Sequence, residues 1–168
     1  MTLRQSTRQI NVGGVTVGGG APVRIQSMTT TKTADVERTL EQLARLKNAG
    51  CEIARVAIAD EADAYALQKV VSACKMPVVA DIHFSPKLAV LAIENGASKV
   101  RINPGNIGGE DKIRYVADCV KAHSIPVRVG SNTGSIEPHF LEKYGRSAEA
   151  LVESALLNVA ILEKYGVQ

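Results

Sequence analysis

VVADIHFSPKLAVLAIENGASKVRIN, residues 78–103, holds a whole strand–helix–strand unit, and its reading decides the fold. From Val78 to His83 the side chains alternate. Val78 and Ile82 fall on one face of a strand, Asp81 and His83 on the other. Ser85-Pro86 supplies an N-cap and a first-turn proline. The helix they open closes at Asn95-Gly96. Lys99 to Asn103 then reads as a second strand, with Val100 and Ile102 opposite in sense to Arg101 and Asn103. Strand, helix, strand in so short a stretch is the repeating unit of a parallel sheet.

The same unit recurs on both sides. Upstream, Val23–Met28 reads as a strand, a helix starts near Thr33 or Asp35, buries Val36, Leu40, Leu43 and Leu46, and stops at Gly50. Ile53–Ala59 is the next strand and Glu61 to Ala73 the next helix. Downstream, Pro104–Gly109 leads into a helix from Glu110 to His123, and Val127–Gly130 is a fifth strand. A connection over 131–146 precedes a last helix from Ser147 to Tyr165. Ahead of all this, INVGGVTV (10–17) reads as a small hairpin, with Gly18-Gly19-Gly20 as its link to the first strand. No GK[ST] follows these glycines, so they serve the turn rather than a phosphate.

Each strand carries polar residues at every second position: Arg24 and Gln26, Arg55 and Ala57, Asp81 and His83, Arg101 and Asn103, Arg128 and, just beyond, Asn132. Their neighbours Val23, Ile25, Val56, Ile58, Val127 and Val129 are apolar. Parallel strands covered by helices on both faces are normally apolar on both. An open doubly wound sheet would bury an arginine in almost every strand, which is prohibitive without partners. A (β/α)8 barrel has an interior that opens to solvent at one end, where charge is tolerated. The expected fold is therefore α/β, a TIM-type barrel of which this chain supplies about five units after the small hairpin. The chain is expected to be the N-terminal part of such a domain, with 1–20 as hairpin and linker.

Four arginines against Asp81 leave the inner face at about +3 with His83 neutral. That surface suits a polyanion. Arginine binds phosphate through a planar fork of donors, and Asn103 and Asn132 add neutral ones. The small loops 104–109 and 130–135 could bring backbone N–H groups to the same anion. Asp81 and His83 could orient a substrate hydroxyl or exchange a proton; equally, Asp81 could anchor arginines with His83 as a filler. His123 sits at a helix end, where it can cap carbonyls, and His139 in the long connection is a weak site candidate.

Net charge is only +3, aromatic residues make up 4%, and no basic run occurs, which argues against a nucleic-acid partner. No apolar stretch reaches the ~20 residues that span a bilayer, and the N-terminus lacks a secretion signal, so the expected location is cytoplasmic. Cys51, Cys74 and Cys119 form no CxxC pair; they read as small buried hydrophobes, and no metal site is expected here.

PVRIQSMTTT, EIARVAI, PVVADIHF, KVRINPGNIG and PVRVGSNTGS together resemble the N-terminal barrel of the 4-hydroxy-3-methylbut-2-enyl diphosphate synthases of the non-mevalonate isoprenoid pathway. The resemblance covers essentially the whole chain. It departs at Ser131, where the usual form has Val before the Asn. It implies two-electron reductive ring opening and dehydration of 2-C-methyl-D-erythritol 2,4-cyclodiphosphate. It implies that Arg55, Arg101, Arg128, Asn103 and Asn132 grip the diphosphate while Arg24, Asp81 and His83 line the pocket. A 4Fe–4S cluster, ferredoxin or flavodoxin as electron donor, and a homodimer are implied for the full-length protein. The cluster ligands would lie in a C-terminal domain that this chain does not contain, so the chain alone is expected to be inactive. Another phosphate- or pterin-binding barrel enzyme is the alternative, and a non-catalytic interaction module a third.

Overall fold

The computed structural model describes residues 3–103 and 107–167. A hairpin of β1 (Ile10–Val12) and β2 (Val15–Val17) opens the chain after a single 3-10 turn. Its turn is Gly13-Gly14, both with positive φ (55° and 93°), and Asn11 Oδ1 accepts the Gly14 N–H at 2.6 Å. A Cβ on Gly13 would lie 2.7 Å from Pro77 Cβ and Ser98 Oγ. The hairpin is thus pressed against the segments that enter two later strands.

Five parallel strands follow in the order β3 (Gln26–Met28), β4 (Ile53–Ile58), β5 (Val78–Ile82), β6 (Lys99–Ile102) and β7 (Val127–Val129). The helices between and after them are α1 (Val36–Asn48), α2 (Glu61–Ala73), α3 (Pro86–Glu94), α4 (Glu110–His123), α5 (Pro138–Tyr144) and α6 (Ala148–Lys164). Their starts are written locally: Asp35, Asp60, Ser85 and Ser147 each accept a backbone N–H three residues on. Sequence order equals sheet order, as a singly wound barrel requires. Among the described residues the sheet does not close, and β3 and β7 are its edges.

Parity divides the sheet. On the outer face Val56, Ile58, Ala80, Ile82, Val100 and Ile102 pack with Ala64, Leu67, Ala89, Ile93, Ile113 and Val116 of α2, α3 and α4. Each buried Val or Ile contributes about 1.5–3 kcal/mol, so this layer carries much of the fold's stability. On the inner face the lowest layer is also apolar: Ile53 and Val79 meet Val12 of the hairpin, which plugs the barrel floor. Above that plug the inner face turns polar. Arg55 lies opposite Val79, Val79 opposite Lys99, Asp81 opposite Ala57 and Arg101, and Arg101 opposite Arg128.

Two expectations need correction. The first strand is shorter than Val23–Met28. Val23 and Ile25 are 76% and 58% exposed, because no helix among the described residues covers that edge. Residues 131–146 are not a plain connection but contain α5, whose first turn carries Pro138. On α6, Val152 and Leu156 face solvent beside the β7 edge.

Candidate functional site

Asp81 is the hub of the upper inner face. It comes from β5 at 2% exposure, and three cationic or titratable side chains converge on it. Arg101 Nη1 donates to Oδ1 at 3.1 Å, Arg55 Nε stands 3.5 Å from Oδ2, and His83 Nε2 lies 3.3 Å from the same oxygen. Arg55 also points its Nε at Met28 Sδ, 3.1 Å away. Two guanidinium groups around one carboxylate fix each other's direction while leaving net positive charge. His83 is half-exposed at the rim, its ring tilted against Phe84. Ala57, Ser85 and Leu88 complete a cavity of about 240 Å³ at this point.

Gly130 makes room for this cluster. A Cβ there would sit 2.5 Å from Arg101 Nε and 2.9 Å from its Cζ. The backbone just past β7 therefore forms the seat on which the Arg101 guanidinium lies, which explains a glycine whose φ is unremarkable.

Asn103 and Asn132 are joined by a residue that alternation did not single out. Ser135 Oγ accepts from Asn103 Nδ2 at 2.9 Å and stands 3.0 Å from Asn103 Oδ1 and 3.2 Å from Asn132 Oδ1. Asn103 and Ser135 are buried, and Asn132 is exposed. Asn132 Oδ1 also accepts the Gly134 N–H, which leaves its amide nitrogen without a partner among the described residues. Ser135 stood in view in GSNTGS, but a loop serine carries no periodic signal.

The lower inner face is different. Arg24 donates to Glu52 Oε1 at 2.7 Å and to the Thr16 carbonyl, and so is neutralised at the hairpin. The Ile25 N–H and then Arg24 hold the Glu52 carboxyl below its ordinary range. Arg24 is therefore not brought to Asp81. It lines a separate cavity of about 370 Å³ with Gln26, Ile53, Lys99 and Arg128. Lys99 is 8% exposed and Arg128 is exposed; neither makes an ion pair with any described residue. Burial first, then Arg128 and Arg55, push the Lys99 ammonium below its ordinary value of 10.5. Lys99 enters the cationic wall as Arg24 is neutralised, so the surplus over Asp81 and Glu52 stays at about three positive charges.

Other candidates fall away from the wall. His123 Nδ1 meets the Cys119 carbonyl at 3.0 Å, the helix-end role its position implies. His139 on α5 packs against Phe140. Residues 104–106 of the glycine-rich loop lie outside the described residues. Cys51 is buried at the start of β4 with Sγ against the Ile53 carbonyl, and Cys119 lies on α4. Among the described residues no three His, Cys, Asp or Glu side chains converge as metal ligands would. They do not fit a 4Fe–4S cluster.

Fold and site together define a parallel β/α barrel domain with a cationic inner wall. The family described as the GcpE TIM-barrel domain matches residues 7–168, and the chain belongs to that family. It is 54% identical over 172 residues to the 4-hydroxy-3-methylbut-2-en-1-yl diphosphate synthase (flavodoxin) of Desulfotalea psychrophila, covering all of this chain and 47% of that protein. It is 52% identical over 167 residues to the synthase of the same name from Aquifex aeolicus, covering 99% of this chain and 47% of the relative. The chain thus spans about half the length of these relatives. Among solved structures, the Thermotoga maritima phospho-2-dehydro-3-deoxyheptonate aldolase superposes with a TM-score of 0.68 at 15% identity, over 95% of this chain and 43% of that one. Yersinia pestis dihydropteroate synthase gives 0.67 at 10% identity, over 96% and 62%. At such identities the likeness concerns the fold alone.

Proposed function

We propose that this chain provides the substrate-binding wall of a 4-hydroxy-3-methylbut-2-enyl diphosphate synthase. It would bind 2-C-methyl-D-erythritol 2,4-cyclodiphosphate for two-electron reductive ring opening and loss of water. The observation that carries this reading is one buried carboxylate, Asp81, holding Arg55, Arg101 and His83 on an inner face that keeps surplus positive charge. In this reading Arg55, Arg101 and Arg128 take the phosphate oxygens through charge-assisted hydrogen bonds. Asn132 adds its amide donors, held by Ser135 and Asn103. Asp81 fixes the two arginines and the orientation of His83, whose rim position suits proton exchange with a substrate hydroxyl.

The reading assigns residues 1–168 to the N-terminal part of a barrel domain, inactive by itself. It takes the iron–sulfur cluster and its ligands to another domain, ferredoxin or flavodoxin to the electron-donor role, a homodimer as the assembly and the cytoplasm as its place. The names of the relatives include flavodoxin, which favours that donor. No described helix is long and apolar enough to cross a membrane.

Calorimetric titration of the cyclodiphosphate into the product of the complete gene tests the reading. Arg101→Met and Arg128→Met are each expected to weaken binding about tenfold or more, the loss of one good charge-assisted contact. Unchanged affinity in both variants would overturn it.

A further inference from the structure

The lower cavity holds a lysine that the proposed contacts leave unused. Lys99 opens β6, two residues before Arg101, and so points to the same inner side one layer closer to the floor. Its exposure is 8%, yet no hydrogen bond or ion pair to a described residue holds its ammonium. Its ammonium nitrogen is not among the fully buried, partnerless polar atoms of the described residues, so the stem is covered while the charged end reaches the cavity. Here the charged groups around it are chiefly cations. Arg128 stands on the wall from β7 and Arg55 from β4, and Arg24 across the cavity is already matched by Glu52. Asp81 lies one layer up and is engaged by Arg55, Arg101 and His83. The hairpin and the link after it contribute Val17 and Gly18 to the same cavity, and the neighbouring strand sets Val79 opposite Lys99, none of them charged.

We propose that Lys99 is a further phosphate ligand of the substrate site, taking with Arg128 one phosphoryl group of the cyclic diphosphate at the lower end of the wall. The inference rests on the function proposed above. A carboxylate or hydroxyl introduced by the fold would have stabilised this lysine in the empty protein, and the described residues supply none. A phosphate oxygen entering the cavity would complete the pair. In the empty protein Lys99 is consequently a destabilising residue. Burial beside two guanidinium groups favours loss of its proton, and a bound phosphate reverses that preference.

Lys99→Met and Lys99→Arg in the product of the complete gene separate this role from a structural one. Met keeps the length and removes the charge. Its ligand-free melting temperature is expected to stay level or rise, while affinity for the cyclodiphosphate falls about tenfold. Arg restores most of that affinity. If Lys99→Met binds as tightly as the unsubstituted protein, the inference fails while the proposed function stands. Should Lys99→Met melt several degrees lower or fail to fold, the lysine is architectural and the inference is equally lost. Absence of binding by the unsubstituted protein would instead remove the function on which it rests.

Discussion

The upper and lower halves of the inner wall carry similar charge but treat it in opposite ways. Above, Arg55 and Arg101 close on Asp81, and the arrangement is held without a ligand. Below, Lys99 and Arg128 face a cavity with no carboxylate among the described residues to meet them. On the proposed function, the difference separates charge that belongs to the fold from charge left for a ligand. Removing the central group of the upper cluster therefore costs stability, and removing the central group of the lower one should not.

Asp81→Ala gives the largest effect. It leaves two partly buried guanidinium groups facing each other, and breaking such a pair costs about 3 kcal/mol. Denaturant unfolding should show a loss of that order, with no saturable binding of the cyclodiphosphate. A loss below about 1 kcal/mol would mean that solvent already screens the cluster. Next comes Gly130→Ala. Its methyl group would occupy the seat of Arg101, whose flexible end can move aside but only by leaving Asp81. Affinity is expected to fall about tenfold while stability changes by only ~1 kcal/mol. An alanine variant that binds normally would show that Arg101 does not act from the position seen here.

Much of this contrast was legible in the sequence, and what was missed has physical causes. Alternation placed Arg55, Asp81, Arg101 and Arg128 on one face, because a strand side chain has only two directions to choose from. The same rule put Arg24 with them, and by parity that was sound. What alternation cannot register is Glu52, which lies outside the strand and reaches back to Arg24 and the Ile25 N–H. Lys99 obeys the alternation too. It stands at the first residue of β6, where a lysine reads as a solvated strand end until the hairpin is seen to cover the floor. Val23 and Ile25 look like strand residues, yet their burial depends on a neighbour that pattern alone does not supply. Ser135 and the seat at Gly130 are matters of tertiary approach, for which a single sequence has no period to reveal.

The lower site also has a pH signature. The folded protein lowers the affinity of Lys99 for its proton through burial, Arg128 and Arg55, whereas the unfolded chain keeps the ordinary value of 10.5. Between the lowered value and 10.5 the unfolded state binds more protons, so stability contributed by this site rises with pH across that window. Below it Lys99 is charged in both states and its penalty is constant. Stability measured from about pH 8 to about pH 10 in unsubstituted protein and in Lys99→Met should differ in slope, with the rise smaller in the variant. Parallel curves would place the Lys99 ammonium in a far wetter setting than its burial indicates.

Arg24 provides the finest discrimination between the halves, since it lines the acid-free cavity but brings its own acid. Its pair with Glu52 is about 30% exposed on each side (27% and 33%), where water screens an ion pair and leaves it little net worth. Arg24→Gln should therefore lower stability only slightly. A guanidinium already held by a carboxylate and by the Thr16 carbonyl has little left to offer a phosphate, so affinity should drop by less than about threefold. Glu52→Gln, which frees Arg24 without moving it, should raise affinity for the cyclodiphosphate instead. That opposite sign depends on the lower cavity being a place where uncompensated cations meet the ligand. If both substitutions leave binding untouched while Lys99→Met weakens it, the ligand reaches Lys99 and Arg128 but stops short of the hairpin.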